Sequence, residues 1–96
     1  MERRKDDAGK IWTLDKVDRA VIAIVAKLAG RRPRTVTRAT SFGPTGLKWD
    51  KLGKLAVIKP IHRRLHERLE DGVVVVHVSR VGQLCDYVWS RMEAAQ

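Results

Sequence analysis

Cysteine is almost missing from this 96-residue chain: Cys85 stands alone. A single thiol closes no internal disulfide and builds no cysteine-based zinc cluster, so the expected compartment is reducing and cytoplasmic. Aromatic residues are also scarce, at 5%, against a hydrophobic fraction of 44%. The core is therefore expected to be aliphatic, made of Val, Leu, Ile and Ala. No apolar run approaches the roughly 18 residues that span a bilayer. Negative charge is the last scarcity, with eleven Asp and Glu against twenty Lys and Arg, a net charge of +9. Such an excess attracts phosphates, anionic lipid or acidic protein surfaces, and it speaks to partners more than to fold. The opening MERRKDDAGK has no apolar segment behind its basic residues and holds two aspartates, unlike a signal or transit peptide. Residues 1–10 are expected to be a disordered tail, and residues 11–93 a single domain.

Helical periodicity dominates what is present. Leu14, Val17, Val21, Ile24, Val25 and Leu28 form one stripe of a 3.6-residue period. Thr13 suits the N-cap, Asp15 the first turn, and Gly30 the stop, while Lys16, Asp18, Arg19 and Lys27 take the wet face. Residues 31–46, RRPRTVTRATSFGPTG, read as a long loop rich in Pro, Gly, Thr and Ser. Val36, Phe42 and Leu47 are its expected anchors. Residues 50–69 return to a helical stripe through Leu52, Leu55, Ile58, Ile61, Leu65 and Leu69, with Asp50 as N-cap. Pro60 interrupts it; because the stripe continues on both sides, one kinked helix is expected in preference to two. DGVVVVHV is rich in strand-forming valine but has no second strand to pair with, so it is read as an extended linker or irregular turn. Val81, Leu84, Cys85, Val88 and Met92 then mark the face of a last helix with Ser79 as N-cap. The expected architecture is all-α: a small three- to four-helix bundle with a long loop between helices 1 and 2.

The loop, the start of the second helix and the last helix carry a resemblance. Thr40, Ser41 and Phe42, then Gly46 and Leu47, then Asp50, Lys51 and Leu52 follow the pattern T-S-F-x-x-L-G-L-D-S-L, with Lys48 and Trp49 as two extra residues. VSRVGQLCDYV, Val78 to Val88, follows a second pattern, I-T-T-V-G-D-A-V-D-Y-I, at its Val, Gly, Asp and Tyr positions. In order and spacing these resemble the acyl carrier protein family over about residues 13–92. The resemblance implies a helical bundle of that type and a role near fatty-acid, polyketide or related carrier-dependent synthesis.

Two departures alter what the resemblance implies. The family esterifies a serine at the start of its second helix with 4′-phosphopantetheine. Lys51 occupies that position here, and without the two-residue insertion Trp49 would. An amine forms no phosphodiester in that reaction, so no 4′-phosphopantetheine is expected. Family members are acidic on the second helix, whereas residues 50–69 carry Lys51, Lys54, Lys59, Arg63, Arg64 and Arg68 against Asp50 and Glu67. Like charge across an interface costs several kcal/mol, so partners selected by an acidic helix would be repelled. The expected function is a non-enzymatic binding or adaptor module that meets an acidic protein partner. Its expected surface is Arg31, Arg32, Arg34, Trp49, Lys51, Lys54, Arg63 and Arg64. The alternative is nucleic-acid binding through the same surface, with Trp49 available for stacking.

Other candidates carry less. His62 and His66 stand at i and i+4 without an intervening glutamate or an evident third ligand, so no metal site is expected. His77 lies isolated between valines. Cys85 falls on an apolar stripe and reads as a buried, inert thiol. GPTG lacks the continuation of a phosphate-binding loop. No catalytic constellation emerges, and no enzyme activity is expected.

Overall fold

The computed structural model describes residues 12–94. The expected tail over residues 1–10 lies outside the described residues. The order is α1 (Leu14–Ala29), a 3-10 turn (Pro33–Thr35), α2 (Lys51–Leu55), α3 (Ile58–Leu65), α4 (Asp71–His77) and α5 (Val81–Ala94). The described chain is thus an all-α bundle with a long loop between its first two helices. Among the described residues no helix is long and apolar enough to cross a membrane.

α1 begins and ends as its sequence dictates. The Thr13 hydroxyl accepts from the Lys16 N–H at 3.2 Å, and Gly30 turns left-handed at φ 67°. Arg31 N–H then reaches Ala26 O at 2.9 Å and Gly30 N–H reaches Lys27 O at 3.2 Å, the two bonds of a Schellman stop. Its buried line is Val17, Val21 and Val25, a row of i+4 steps that drifts about 40° per step around the axis. The drift carries burial round to Ala26 on the side of the 3-10 turn. Leu14 and Leu28, expected on the core stripe, are therefore left 42% and 44% exposed.

α1 packs chiefly on α5, whose Val81, Leu84, Cys85, Val88 and Met92 are all fully buried. Ser79 does not cap α5 through its side chain. Its hydroxyl donates to Gln83 Oε1 at 2.8 Å, and that oxygen also accepts from the Ser79 and Arg80 N–H groups. The first helical N–H groups are capped from the loop: Val81 N–H by Thr40 O at 2.9 Å and Gly82 N–H by Arg38 O at 2.8 Å. Phe42 N–H bonds Ser79 O in the same antiparallel approach. The long loop is thus the cap of the last helix, and Val36, Phe42 and Leu47 anchor it in the core.

Arg38 fastens this arrangement. Its guanidinium donates to Asp18 Oδ1 on α1 at 2.8 Å and to Asp86 Oδ1 on α5 at 2.7 Å. The Asp86 hydrogen bond, followed by the field of Asp18, raises its pKa further. The guanidinium is partly exposed, so solvent screens both pairs. Arg38→Ala is expected to cost about 1 kcal/mol, seen as a fall in thermal midpoint of roughly 4–8 °C. Arg38→Lys should not restore it, since one ammonium does not span two carboxylates as a fork does.

Three expectations are corrected in the middle of the chain. The helix expected over residues 50–69 is two helices, divided at Ala56 and Val57 and ending at Leu65. Pro60 has no N–H for Ala56 O, and its ring would crowd that carbonyl, so the chain turns there and Pro60 falls in the first turn of α3. Asp50 does cap α2, accepting from Gly53 N–H at 2.8 Å. The split moves the stripe: Leu52 is 74% exposed and Val57 is buried in its place. His66 stops α3 in a left-handed conformation at φ 57°. Arg91 of α5 holds the segment beyond, donating to Arg68 O at 3.2 Å and facing the carboxylates of Glu67 and Glu70. Finally, DGVVVVH is helical, as α4. With no strand among the described residues to pair with, its backbone satisfies itself; Val74 enters the core, Glu70 N–H bonds the Tyr87 hydroxyl, and Lys54 Nζ bonds Val75 O. Each valine costs a few tenths of a kcal/mol in helix propensity, so these contacts oppose a summed penalty of about 2 kcal/mol over the four.

Candidate functional site

The basic residues expected to form one face are distributed over separate places. Lys51 is the first residue of α2, immediately after its Asp50 cap. It lines a cleft of about 260 Å³ with Trp49, Asp50, Lys54, Ser41, Gly43, Val75 and Ser79. Within it, Lys54 is committed to Val75 O at 3.2 Å, close to the C-terminal end of α4, where helix carbonyls favour a cation. Trp49 is half-buried, with one face stacked on Phe42 at 5.4 Å between ring centroids.

Arg63 and Arg64 stand elsewhere, on α3 where it borders α1. Two adjoining clefts of about 460 and 640 Å³ run between these helices and share Ile24, Lys27 and Arg64. Trp12, Lys16, Arg19, Ala20 and Ala23 line the first, and Leu28, Pro60 and Arg63 the second. The Arg64 guanidinium sits 5.0 Å over the buried Trp12 ring, an arrangement the ring's quadrupole favours. Arg31, Arg32 and Arg34 are exposed past the end of α1 and around the 3-10 turn, and they line none of these clefts. The structure thus joins Trp49, Lys51 and Lys54 in one place and Arg63 and Arg64 in another.

Sequence reading missed two kinds of neighbour. Ser41 and Ser79 lie far from Lys51 in the chain but line its cleft. Both hydroxyls are engaged, Ser41 Oγ accepting from Gly43 N–H at 3.0 Å and Ser79 Oγ donating to Gln83. Lys16, Arg19 and Lys27, read as a solvated face of α1, border the α1–α3 clefts. No signal in the sequence marks how closely those helices approach.

His62 and His66 do not share a helix face, because His66 is the left-handed residue that ends α3. Among the described residues no group of His, Cys, Asp and Glu is placed to hold a metal ion. No family model, curated protein or solved structure matches this chain.

Cys85 is fully buried, and burial, reinforced by the negative field of Asp18, pushes its thiol up to about 12. A thiol is reactive as thiolate, so the folded protein should ignore a chromogenic disulfide reagent at pH 8 and react stoichiometrically once unfolded. The folded pKa lies above the ordinary value of 9.0. The stability gained by keeping the thiol neutral is therefore complete below that ordinary value. It is lost as pH rises towards about 12, where the unfolded chain releases the proton more readily.

Proposed function

We propose that this chain is a non-enzymatic contact module resembling acyl carrier proteins, one that carries no phosphopantetheine arm and recognises an acidic partner surface through cationic side chains. The observation that carries the reading is the start of α2: Asp50 caps it, Lys51 is its first residue, and no hydroxyl stands there. Lys51 falls where the family's resemblance requires the esterified serine, and an amine presents nitrogen where an oxygen ester has to form. The two serines in the same cleft have their hydroxyls engaged in bonds that hold the loop and the start of α5.

Charge supports the same reading. Residues 50–69 carry six cationic side chains against two carboxylates, the reverse of the family's acidic second helix. The partner implied is an acidic surface, such as one on an enzyme of fatty-acid, polyketide or related carrier-dependent synthesis. The half-buried, Phe42-stacked Trp49 is a poorer base-stacking platform than a free ring, which favours protein contact over nucleic acid.

Intact mass after co-expression with a broad-specificity phosphopantetheinyl transferase tests the reading. The chain should keep its unmodified mass. A gain of one phosphopantetheine overturns it.

A further inference from the structure

The α1–α3 clefts have an uncommon lining. Their floor is apolar, with Ala20, Ala23, Ile24 and Leu28 from α1 and Pro60 from α3. Their rims are cationic, with Lys16, Arg19 and Lys27 on one side and Arg63 and Arg64 on the other. Among the described residues no carboxylate lines either cleft. Asp15 stands just before them and is paired with Arg19 at 3.0 Å, both side chains largely exposed.

Shape and charge together select an occupant. From Lys16 to Lys27 the α1 wall extends about 16 Å, the length of three helical turns. The small Ala20 and Ala23 allow a backbone to come close at the middle of the floor, within the 8–10 Å at which packed helices lie. A nucleic-acid backbone would use the rims but gain nothing from Ile24, Leu28 and Pro60. A helix with an apolar stripe and carboxylates on both flanks uses all of it. The chain's own N-terminal residues are ill suited: Arg3, Arg4, Lys5 and Lys10 outnumber Glu2, Asp6 and Asp7, so the rims repel them on balance. Arg64 is held over Trp12 before any partner arrives, which reduces the side-chain ordering that binding requires.

We infer that the α1–α3 groove is the docking site for an acidic amphipathic helix of a partner protein. Its apolar stripe lies on Ala20, Ala23, Ile24 and Leu28, and its carboxylates face Lys16, Arg19 and Lys27 on one edge and Arg63 and Arg64 on the other. This rests on the reading of the chain as a contact module and specifies where and what it contacts. Lys51 and Lys54 line a different cleft and are not part of this groove.

The test uses the full chain, isotopically labelled for NMR, and a capped synthetic peptide about three helical turns long. The peptide carries leucine along one stripe and glutamate on both flanks. Saturable binding at low salt is expected, with chemical-shift changes confined to residues of α1 and α3. Arg63→Glu combined with Lys27→Glu should weaken it at least tenfold while leaving the rest of the spectrum unchanged, because both side chains are exposed. Replacing the peptide leucines by serine should abolish binding, as should replacing its glutamates by lysine. Absence of binding, or equal binding of the lysine peptide, overturns the inference. Shifts centred on Lys51 and Lys54, or loss of binding in Lys51→Glu with Arg63→Glu and Lys27→Glu unaffected, overturns the groove while the contact-module reading stands. A short nucleic-acid duplex that displaces the peptide from the same residues at lower concentration also overturns it, in favour of phosphate recognition. A covalent pantetheine arm on the purified chain would instead remove the underlying reading, a result that intact mass separates from all of these.

Discussion

Phe42→Ala is expected to destabilise the fold by about 3–5 kcal/mol, a large part of the 5–15 kcal/mol typical of a whole domain. Phe42 is 1% exposed, and its ring stacks on Trp49 at an interplanar angle of 27°. Its backbone is committed at both ends, the N–H to Ser79 O at 2.9 Å and the carbonyl to Trp49 N–H at 2.7 Å. A cavity at this point loosens the loop that supplies Thr40 O and Arg38 O to the first turn of α5. Loss of packing and loss of a helix cap therefore act together, and relaxation cannot close the void without breaking one of them. Urea unfolding followed by tryptophan fluorescence should show the midpoint lowered by at least about 1 M. Phe42→Leu should recover more than half of the loss, because it refills volume and leaves the backbone bonds alone. A cost under about 1 kcal/mol would mean the loop does not depend on this anchor.

The parts of the fold that sequence reading anticipated are those whose signals are local. Thr13, Gly30 and Asp50 terminate helices by bonds within four residues, and each does what its residue type favours. The apolar face of α5 is equally local, since one helix face meets one core. The failures share a different cause. The apolar stripe runs straight through Pro60 in the sequence and favours a kink, yet the chain buries Val57 and exposes Leu52 instead. Four valines favour extension by propensity alone, but the Tyr87 hydroxyl and Lys54 ammonium hold α4 from other elements. Ser79 was the natural cap by type, but Gln83 and the distant carbonyls of Arg38 and Thr40 took that work.

The candidate site divides along the same line. Its charge was legible, because counting lysine and arginine needs no coordinates. Its division was not. Lys51 and Arg64 are close in sequence, but the break before α3 separates the cleft at the start of α2 from the groove beside α1. Lys16, Arg19 and Lys27 acquire a role only because Ile24 and Leu28 beside them are left partly uncovered, the consequence of a buried row that drifts away along α1.

Gly46→Ala should be nearly as damaging as loss of Phe42, by a different route. A Cβ at position 46 would sit 2.0 Å from Ser41 O and 2.8 Å from its carbonyl carbon. Those are backbone atoms, so no side chain can swing aside; the loop itself has to move by more than 1 Å to reach ordinary contact. Ser41 O is also the acceptor for Leu47 N–H at 2.8 Å, and Ser41 bridges to Arg80 at the start of α5. The displacement therefore opens the loop and pulls on the α4–α5 junction, for roughly 3 kcal/mol and a thermal midpoint lowered by at least about 12 °C. Gly72→Ala is the contrast: nothing lies within 4 Å of its added Cβ, and the position is helical. There the same methyl should stabilise by about 0.5–1 kcal/mol, through the backbone entropy that alanine gives up less of than glycine. If both substitutions shift the midpoint in the same direction, close approach at Ser41 is not what fixes this loop. The carbonyls that cap α5 would then need another source of order.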